Sequence, residues 1–97
     1  VTEIELSNTQ TIILEQNVPN PFETETNISY NIPENISAAK LIFYNNNGTV
    51  LKELDIKHKG KGTIKVYAPE LSTGIYSYSL IADDKVIDTK KMMKADR

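Results

Sequence analysis

The stretch GIYSYSLIA, residues 74–82, has the clearest β-strand pattern in the chain. Successive side chains of a strand point to opposite faces, so every second residue shares a face. One face here carries Tyr76, Tyr78, Leu80 and Ala82. The other carries Ser77, Ser79 and Asp83, alongside Ile75 and Ile81. We therefore predict a strand that begins at Gly74 and buries the Tyr76 face in a core.

The same period of two recurs on both sides of this stretch, whereas helical periodicity never continues beyond one turn. The predicted strands are residues 11–16, 26–32, 39–44, 50–56, 63–67, 74–82 and 86–94. Short, evenly spaced strands without helices to connect parallel neighbours indicate an all-β fold. The prediction is a single antiparallel β-sandwich of about seven strands, with immunoglobulin-like or Greek-key connectivity.

Turn residues separate these strands. Asn47-Gly48 predicts a hairpin with a type I′ turn, because both central residues of that turn need positive φ. The returning strand is expected to hold Val50, Leu54 and Ile56 on one side, and Lys52 interrupts that face, which suggests a bulge near Leu51. Residues 58–62 are predicted as a flexible polar turn, and Asp83-Asp84 as the turn before the last strand.

Composition places the chain among ordinary globular domains, with 97 residues, 39% hydrophobic and 25% charged. This length suits one domain with a single modest core. The absence of cysteine excludes disulfides and thiolate sites, and no apolar run approaches the roughly 18 residues of a membrane-spanning helix. We therefore predict no stable membrane insertion. The start at Val1-Thr2-Glu3 leads us to expect a piece of a longer protein.

The charge distribution is uneven. Residues 1–36 contain six acidic residues and no lysine or arginine, so all eleven basic residues follow. The last eight residues form a small basic tail with Lys90, Lys91, Lys94 and Arg97 against Asp96. Nucleic-acid binding needs a broader basic face with stacking aromatics, so we predict no nucleic-acid partner.

No catalytic or metal-binding set of residues is visible. The only histidine, His58, lies between lysines in a predicted turn, where it has no nucleophile to activate. Asp83, Asp84 and Asp88 lack the spacing of a calcium loop, and Gly60-Lys61-Gly62 lacks that of a phosphate loop. The sequence predicts a protein that is not an enzyme and uses no cofactor.

Five tyrosines raise the alternative of an adhesive or carbohydrate-binding sandwich module. Tyr30, Tyr76 and Tyr78 fall on predicted inward faces, where each ring packs and its hydroxyl reaches a hydrogen-bond partner. Tyr44 and Tyr67 lie on less certain faces and remain candidates for a sugar platform.

The segment Pro19-Asn20-Pro21-Phe22 precedes the regular strands. Two prolines fix φ twice and remove two backbone donors, so this segment cannot lie inside a helix or a central strand. We expect a stiff connection that delivers Phe22 as an aromatic plug at one end of the sandwich.

An ordered set of motifs runs through residues 14–94. It consists of LEQN at 14–17, PNPF at 19–22, ISYNIP at 28–33, NG at 47–48, Leu71 with GIY at 74–76, and KKM at 90–92. Their order and spacing resemble the C-terminal sorting domain of the bacterial type IX secretion system, of the type A found in Bacteroidetes. The resemblance implies a small β-sandwich that directs an attached cargo protein across the outer membrane. Its implied partners are the secretion translocon, the upstream cargo, and a cell-surface sortase that removes the domain and anchors the cargo.

The resemblance also assigns individual residues. The family motifs match Pro19, Asn20, Pro21, Phe22, Gly48, Gly74 and Tyr76. The terminal motif, where the resemblance places the sorting signal, matches Lys90, Lys91, Met92, Met93 and Lys94. Residues 1–13 are expected to be a linker toward the cargo, and residues 14–97 the sorting domain. On physical grounds, we expect the last strand to present an edge with exposed cations, able to accept a strand from a receptor.

Overall fold

The computed structural model describes residues 12–95. The regular secondary structure of these residues consists of β-strands, without a helix. The strands are β1 (Ile13–Leu14), β2 (Glu25–Ile32), β3 (Ala39–Tyr44), β4 (Val50–Ile56), β5 (Gly60–Tyr67), β6 (Gly74–Ala82) and β7 (Lys85–Lys94). This confirms the prediction of an all-β fold with seven strands. Thr11 lies outside the described residues, and the first strand is shorter than predicted.

Two sheets form the sandwich. One has the order β1-β2-β5 and the other β4-β3-β6-β7, and every neighbouring pair is antiparallel. The chain changes sheet between β2 and β3, between β4 and β5, and between β5 and β6. Such crossings are typical of immunoglobulin-like sandwiches, so the predicted antiparallel β-sandwich is confirmed.

The core lies between the two inner faces. From β6 it receives Tyr78 and Leu80, and from β2 it receives Ile28 and Ile32, all with 0% of their surface exposed. The rings of Phe43 and Tyr78 are tilted at a centroid distance of 6.1 Å, as aromatic pairs prefer. The predicted buried face of β6 is confirmed, since Tyr76 and Ala82 are buried as well. Tyr30 is only half-buried.

The turn between β3 and β4 differs from the prediction. The N–H of Gly48 donates to the carbonyl of Asn45 at 3.0 Å, and only Gly48 is left-handed there, with φ 86°. The side-chain oxygen of Asn45 accepts the N–H groups of Asn47 and Thr49, which favours a longer loop. The type I′ prediction at Asn47-Gly48 was therefore wrong. The two consecutive left-handed residues are Asp83 and Asp84, with φ 50° and 70°, in the β6–β7 hairpin.

The suggested bulge in β4 is confirmed, and it corrects the position of Val50. Phe43 pairs with Lys52 but Tyr44 pairs with Val50, so Leu51 is the extra residue. The extra residue turns Val50 to the outer face beside Tyr44, where it is 49% exposed. The expectation that Val50 shares a face with Leu54 and Ile56 was therefore wrong.

The segment 58–62 is not a purely flexible turn, because β5 already begins at Gly60. Gly60 to Gly62 pair with Ile32 to Tyr30. A Cβ at Gly62 would overlap the Tyr30 ring, so the glycine makes room for an aromatic side chain across the strand pair. This packing explains how a glycine-rich stretch joins the sheet.

Tyr78 provides a test of the core. Its hydroxyl donates to the carbonyl of Glu15 at 2.7 Å, and burial raises the pKa of Tyr78 from 10.0 to about 12. Because the folded pKa lies above the unfolded one, the stabilisation is complete below about pH 10 and is lost as the pH rises toward 12. We expect Tyr78→Phe to lower the free energy of unfolding by about 1 kcal/mol at pH 7. Denaturant titrations at a series of pH values should show that the free energy of unfolding falls more steeply for the wild type than for the variant between pH 10 and 12. If the free energy of unfolding falls in parallel for both proteins, the raised pKa of Tyr78 is contradicted.

Candidate recognition site

The terminal strand β7 has different neighbours on its two edges. One edge pairs with β6, which places Lys94 opposite Gly74 and Met92 opposite Tyr76. Along the end of the other edge lies the segment 16–22, which we call the N-terminal arm. The N–H of Phe22 donates to the carbonyl of Met93 at 2.9 Å, and the N–H of Ala95 donates to the carbonyl of Phe22 at 2.7 Å. The end of the N-terminal arm and the end of β7 therefore form one isolated parallel bridge, between Phe22 and Lys94.

Two side chains of the arm extend this pairing. The side-chain oxygen of Asn20 accepts the N–H of Met93 at 2.8 Å. The amide Nε2 of Gln16 donates to the carbonyl of Lys91 at 2.6 Å. The edge from Lys91 to Ala95 is thus occupied by the arm, and the expectation of an open edge there was wrong. Sequence patterns gave no sign of this contact, because its partners lie more than 70 positions apart.

A buried polar network fixes the start of the arm. Asn17 and Thr26 have 1% and 0% of their surface exposed. The Nδ2 of Asn17 donates to Thr26 Oγ1 and to the carbonyl of Pro19, both at 3.1 Å, and Thr26 Oγ1 donates to the same carbonyl at 2.8 Å. Backbone hydrogen bonds join Val18 to Asn27 in both directions at 2.9 Å. These hydrogen bonds pair buried polar groups that would lower the stability of the fold if they were left without partners.

Phe22 ends the arm inside the core. It is 1% exposed and belongs to the same cluster as Tyr78 and Met92, which confirms the predicted aromatic plug. The peptide bonds before Pro19 and Pro21 are both cis. Neither proline has an N–H to leave unpaired, so the exposed segment can cross from the edge of β2 to the edge of β7 without a missing donor.

The motif residues Gly74 and Tyr76 lie at the start of β6. Tyr76 is 8% exposed, and its hydroxyl donates to the carbonyl of Ser72 at 2.6 Å. A tyrosine near the start of this strand that bonds back to the chain a few residues upstream is the tyrosine corner of immunoglobulin-like sandwiches. The motif residue Tyr76 therefore fixes the loop before β6. Gly48, the other motif glycine, lies in the exposed β3–β4 turn, away from β7 in the sheet order.

The five terminal motif residues divide between two faces. Met92 and Lys94 are buried, at 1% and 6% exposed, so Lys94 does not present the exposed cation that we expected. Strand alternation turns it inward, and Gly74 opposite it has no side chain to compete for the space. Lys90 forms an ion pair with Asp88 at 3.4 Å. Lys91 and Met93 point outward, with Met93 46% exposed opposite Ile75, which is 43% exposed.

The acidic residues considered for calcium have other partners. Asp83 accepts the N–H groups of Ser37 and Ala38 at 3.0 and 2.9 Å, and Asp88 accepts the N–H of Thr89 at 2.8 Å. Residues 12–95 contain no cluster of three histidine, cysteine or acidic side chains suited to a metal ion. Over the same residues no helix is long and apolar enough to cross a bilayer.

The two tyrosines left open do not form one platform. Tyr44 is half-buried on the outer face of the four-stranded sheet. Tyr67 is 67% exposed on the other sheet, at the rim of a groove of about 450 Å³ lined mainly by apolar side chains such as Leu54 and Val66. Outer faces of opposite sheets point in opposite directions, so one sugar cannot contact both rings. Nothing in this geometry favours the carbohydrate-binding alternative.

Comparison with known proteins agrees with the resemblance. A family model of secretion system C-terminal sorting domains matches residues 18–95. This match covers most of the chain and includes both the N-terminal arm from Val18 onward and β7, so the chain belongs to this family of type IX sorting domains. Such domains are sorting signals that mark proteins for export to the outer membrane, the cell surface or the extracellular space. No curated protein and no solved structure matched the chain.

The buried network of the arm can be tested at Asn17. We expect Asn17→Ala to lower the free energy of unfolding by about 1–3 kcal/mol, because Thr26 and the Pro19 carbonyl lose a buried partner. Asn46→Ala, in the exposed β3–β4 turn, is the matched control and should change stability by less than about 0.5 kcal/mol. Denaturant unfolding of both variants checks this, and equal losses would show that the network does not hold the arm.

Proposed function

We propose that the secretion machinery reads the outward side chains at the end of β7, namely Lys91 and Met93, with Ile75 beside them. The domain, residues 14–97, directs a cargo that precedes it through the outer membrane. A cell-surface sortase then cuts within the linker, residues 1–13, ahead of Ile13, which already pairs with Asn31 in β1, and attaches the cargo to the surface. The observation that carries this proposal is that two residues of the terminal motif, the cationic Lys91 and the apolar Met93, are exposed on the outer face of a paired strand.

Three features support this surface. A site on a strand is positioned more firmly than one on a loop, and residues 88–94 of β7 are paired with β6 without interruption. The exposed thioether of Met93 and the side chain of Ile75 give an apolar contact of the kind that anchors protein interfaces. Lys91 adds a cation beside them without a described acidic partner to neutralise it. A partner surface with an apolar pocket and acidic groups would be complementary.

Deleting residues 90–97 would not test this surface, because the deletion removes the core residue Met92 and the edge that holds Phe22. The cleaner variant is Lys91→Glu combined with Met93→Ser, since both side chains are exposed. Fused behind a passenger protein in a bacterium with a type IX system, it should reduce the exported passenger at least several-fold. Thermal unfolding should show that the fold is retained.

The matched control changes the same chemistry on the opposite sheet. Lys61→Glu with Tyr67→Ser replaces one exposed cation and one exposed apolar side chain on β5. We expect normal export of this variant. If the β7 variant folds and exports as well as the wild type, or if the β5 variant is equally defective, the proposed surface is wrong. A wild-type fusion that is not exported at all would overturn the export function itself.

Removal of the domain has a separate readout. Mass spectrometry of the exported passenger should find its new C-terminus within residues 1–13, with a surface anchor attached. An intact fusion on the surface or in the medium would contradict the sortase step and leave the export signal standing.

A further inference from the structure

We propose that the sorting signal is composite, and that Asn20 and Gln16 are positioning residues that fix the end of β7 so that Lys91 and Met93 can be read. This inference rests on the proposed function. Its basis is the pair of side-chain hydrogen bonds that join the N-terminal arm to the terminal strand, at Met93 N–H and at the Lys91 carbonyl. The two residues would act through β7 and need not touch the partner themselves.

The two side chains replace backbone groups that the arm lacks. A neighbouring strand normally supplies both N–H donors and C=O acceptors to an edge. The arm has prolines at positions 19 and 21, which have no N–H, so its backbone reaches β7 only through Phe22. Gln16 supplies the missing donor and Asn20 the missing acceptor. Lys91 to Ala95 are therefore bonded on both edges, although β7 is the last strand of its sheet.

Both Gln16 and Asn20 are exposed. The Nε2 of Gln16 also donates to Asn17 Oδ1 at 2.7 Å, so Gln16 touches the buried network at the start of the arm. An exposed hydrogen bond adds little to global stability, yet strand ends open locally at low cost. The main consequence of losing either side-chain hydrogen bond is therefore more frequent local opening of the last residues of β7. Those residues include both members of the outward surface.

The occupied edge also restricts how a partner can bind. A receptor that added its own strand at Lys91 to Ala95 would have to displace the arm, because the arm uses the same N–H and C=O groups. We infer that the partner instead contacts the outward side chains while the arm stays in place. The two modes predict opposite effects of weakening the arm: export falls if the arm positions the signal, and rises if the arm blocks it.

An isosteric pair of variants makes the test sharp. Asn20→Asp and Gln16→Glu each replace an amide by a carboxylate and add one negative charge. Asn20 accepts a hydrogen bond, which a carboxylate also does, so Asn20→Asp should export at close to the wild-type level. Gln16 donates to the Lys91 carbonyl and to Asn17 Oδ1, which a carboxylate cannot do, so Gln16→Glu should reduce export several-fold. Asn20→Ala removes the acceptor of the Met93 N–H and leaves Asn17 in place, and it should reduce export to a similar extent.

Asn45→Ala controls for stability. Asn45 also accepts backbone N–H groups in an exposed loop, from Asn47 at 2.9 Å and Thr49 at 3.0 Å, but it lies between β3 and β4. We expect the melting temperature of the Asn45→Ala variant to fall at least as far as that of the Asn20→Ala variant. Export of the Asn45→Ala variant should stay normal. Amide hydrogen exchange on the chain of 97 residues should show faster exchange at Met93 in Asn20→Ala, by up to about tenfold, and no change at Tyr78.

Three results would overturn the inference: Asn20→Ala and Gln16→Glu exporting like the wild type, either of them exporting better, or Asn45→Ala failing as badly as Asn20→Ala. The variant with Lys91→Glu and Met93→Ser, run in parallel, separates this inference from the proposed function. If that variant exports normally, the outward surface itself is wrong. If it is defective while the arm variants export normally, only the composite signal is wrong.

Discussion

The backbone pairing of Phe22 with the end of β7 is the constraint on which the rest of the site depends. One residue does two things there: its side chain fills the core between the sheets, and its N–H and C=O groups bond Met93 and Ala95. The buried partners Asn17 and Thr26 hold the preceding carbonyl of Pro19, so the arm enters at a fixed position. The last strand of a sheet would otherwise expose its backbone groups to solvent or to other chains.

This constraint gives a physical reason for motifs at the two ends of a sorting domain. The N-terminal motif holds the terminal motif through the backbone of Phe22 and the side chain of Asn20. Tyr76 has a similar role for the loop before β6 through its bond to Ser72. Several residues of the family motifs therefore support the fold, and Lys91 and Met93 are the exposed residues of the terminal motif to which we assign recognition in our proposal.

Much of the fold could be predicted from period-two alternation. Strand β3 buries every second side chain, and β6 buries its predicted inward face, although Ser79 and Ile81 on its other face are buried as well. Turns and bulges were harder to predict. The loop after β3 is closed by the side chain of Asn45, and so it is not the predicted type I′ turn. The extra residue in β4 places Val50 on the outer face of the sheet, opposite to the predicted face. The site was harder still. Alternation alone would have turned Lys94 inward with Met92, but the charge of the lysine suggested a surface position. The contact between Asn20 and Met93 has no local signature, because it joins residues far apart in the sequence.

Site-specific photocrosslinking in secreting cells tests the central claim most directly, namely that the outer face at the end of β7 is what the secretion machinery contacts. A photoreactive side chain at position 75 would lie beside Met93 without replacing it or Lys91. The same group at position 67 would lie exposed on the opposite sheet. We predict crosslinks from position 75 to an outer-membrane component of the secretion system and none from position 67. Crosslinks from position 67 alone, or equally from both, would contradict the account.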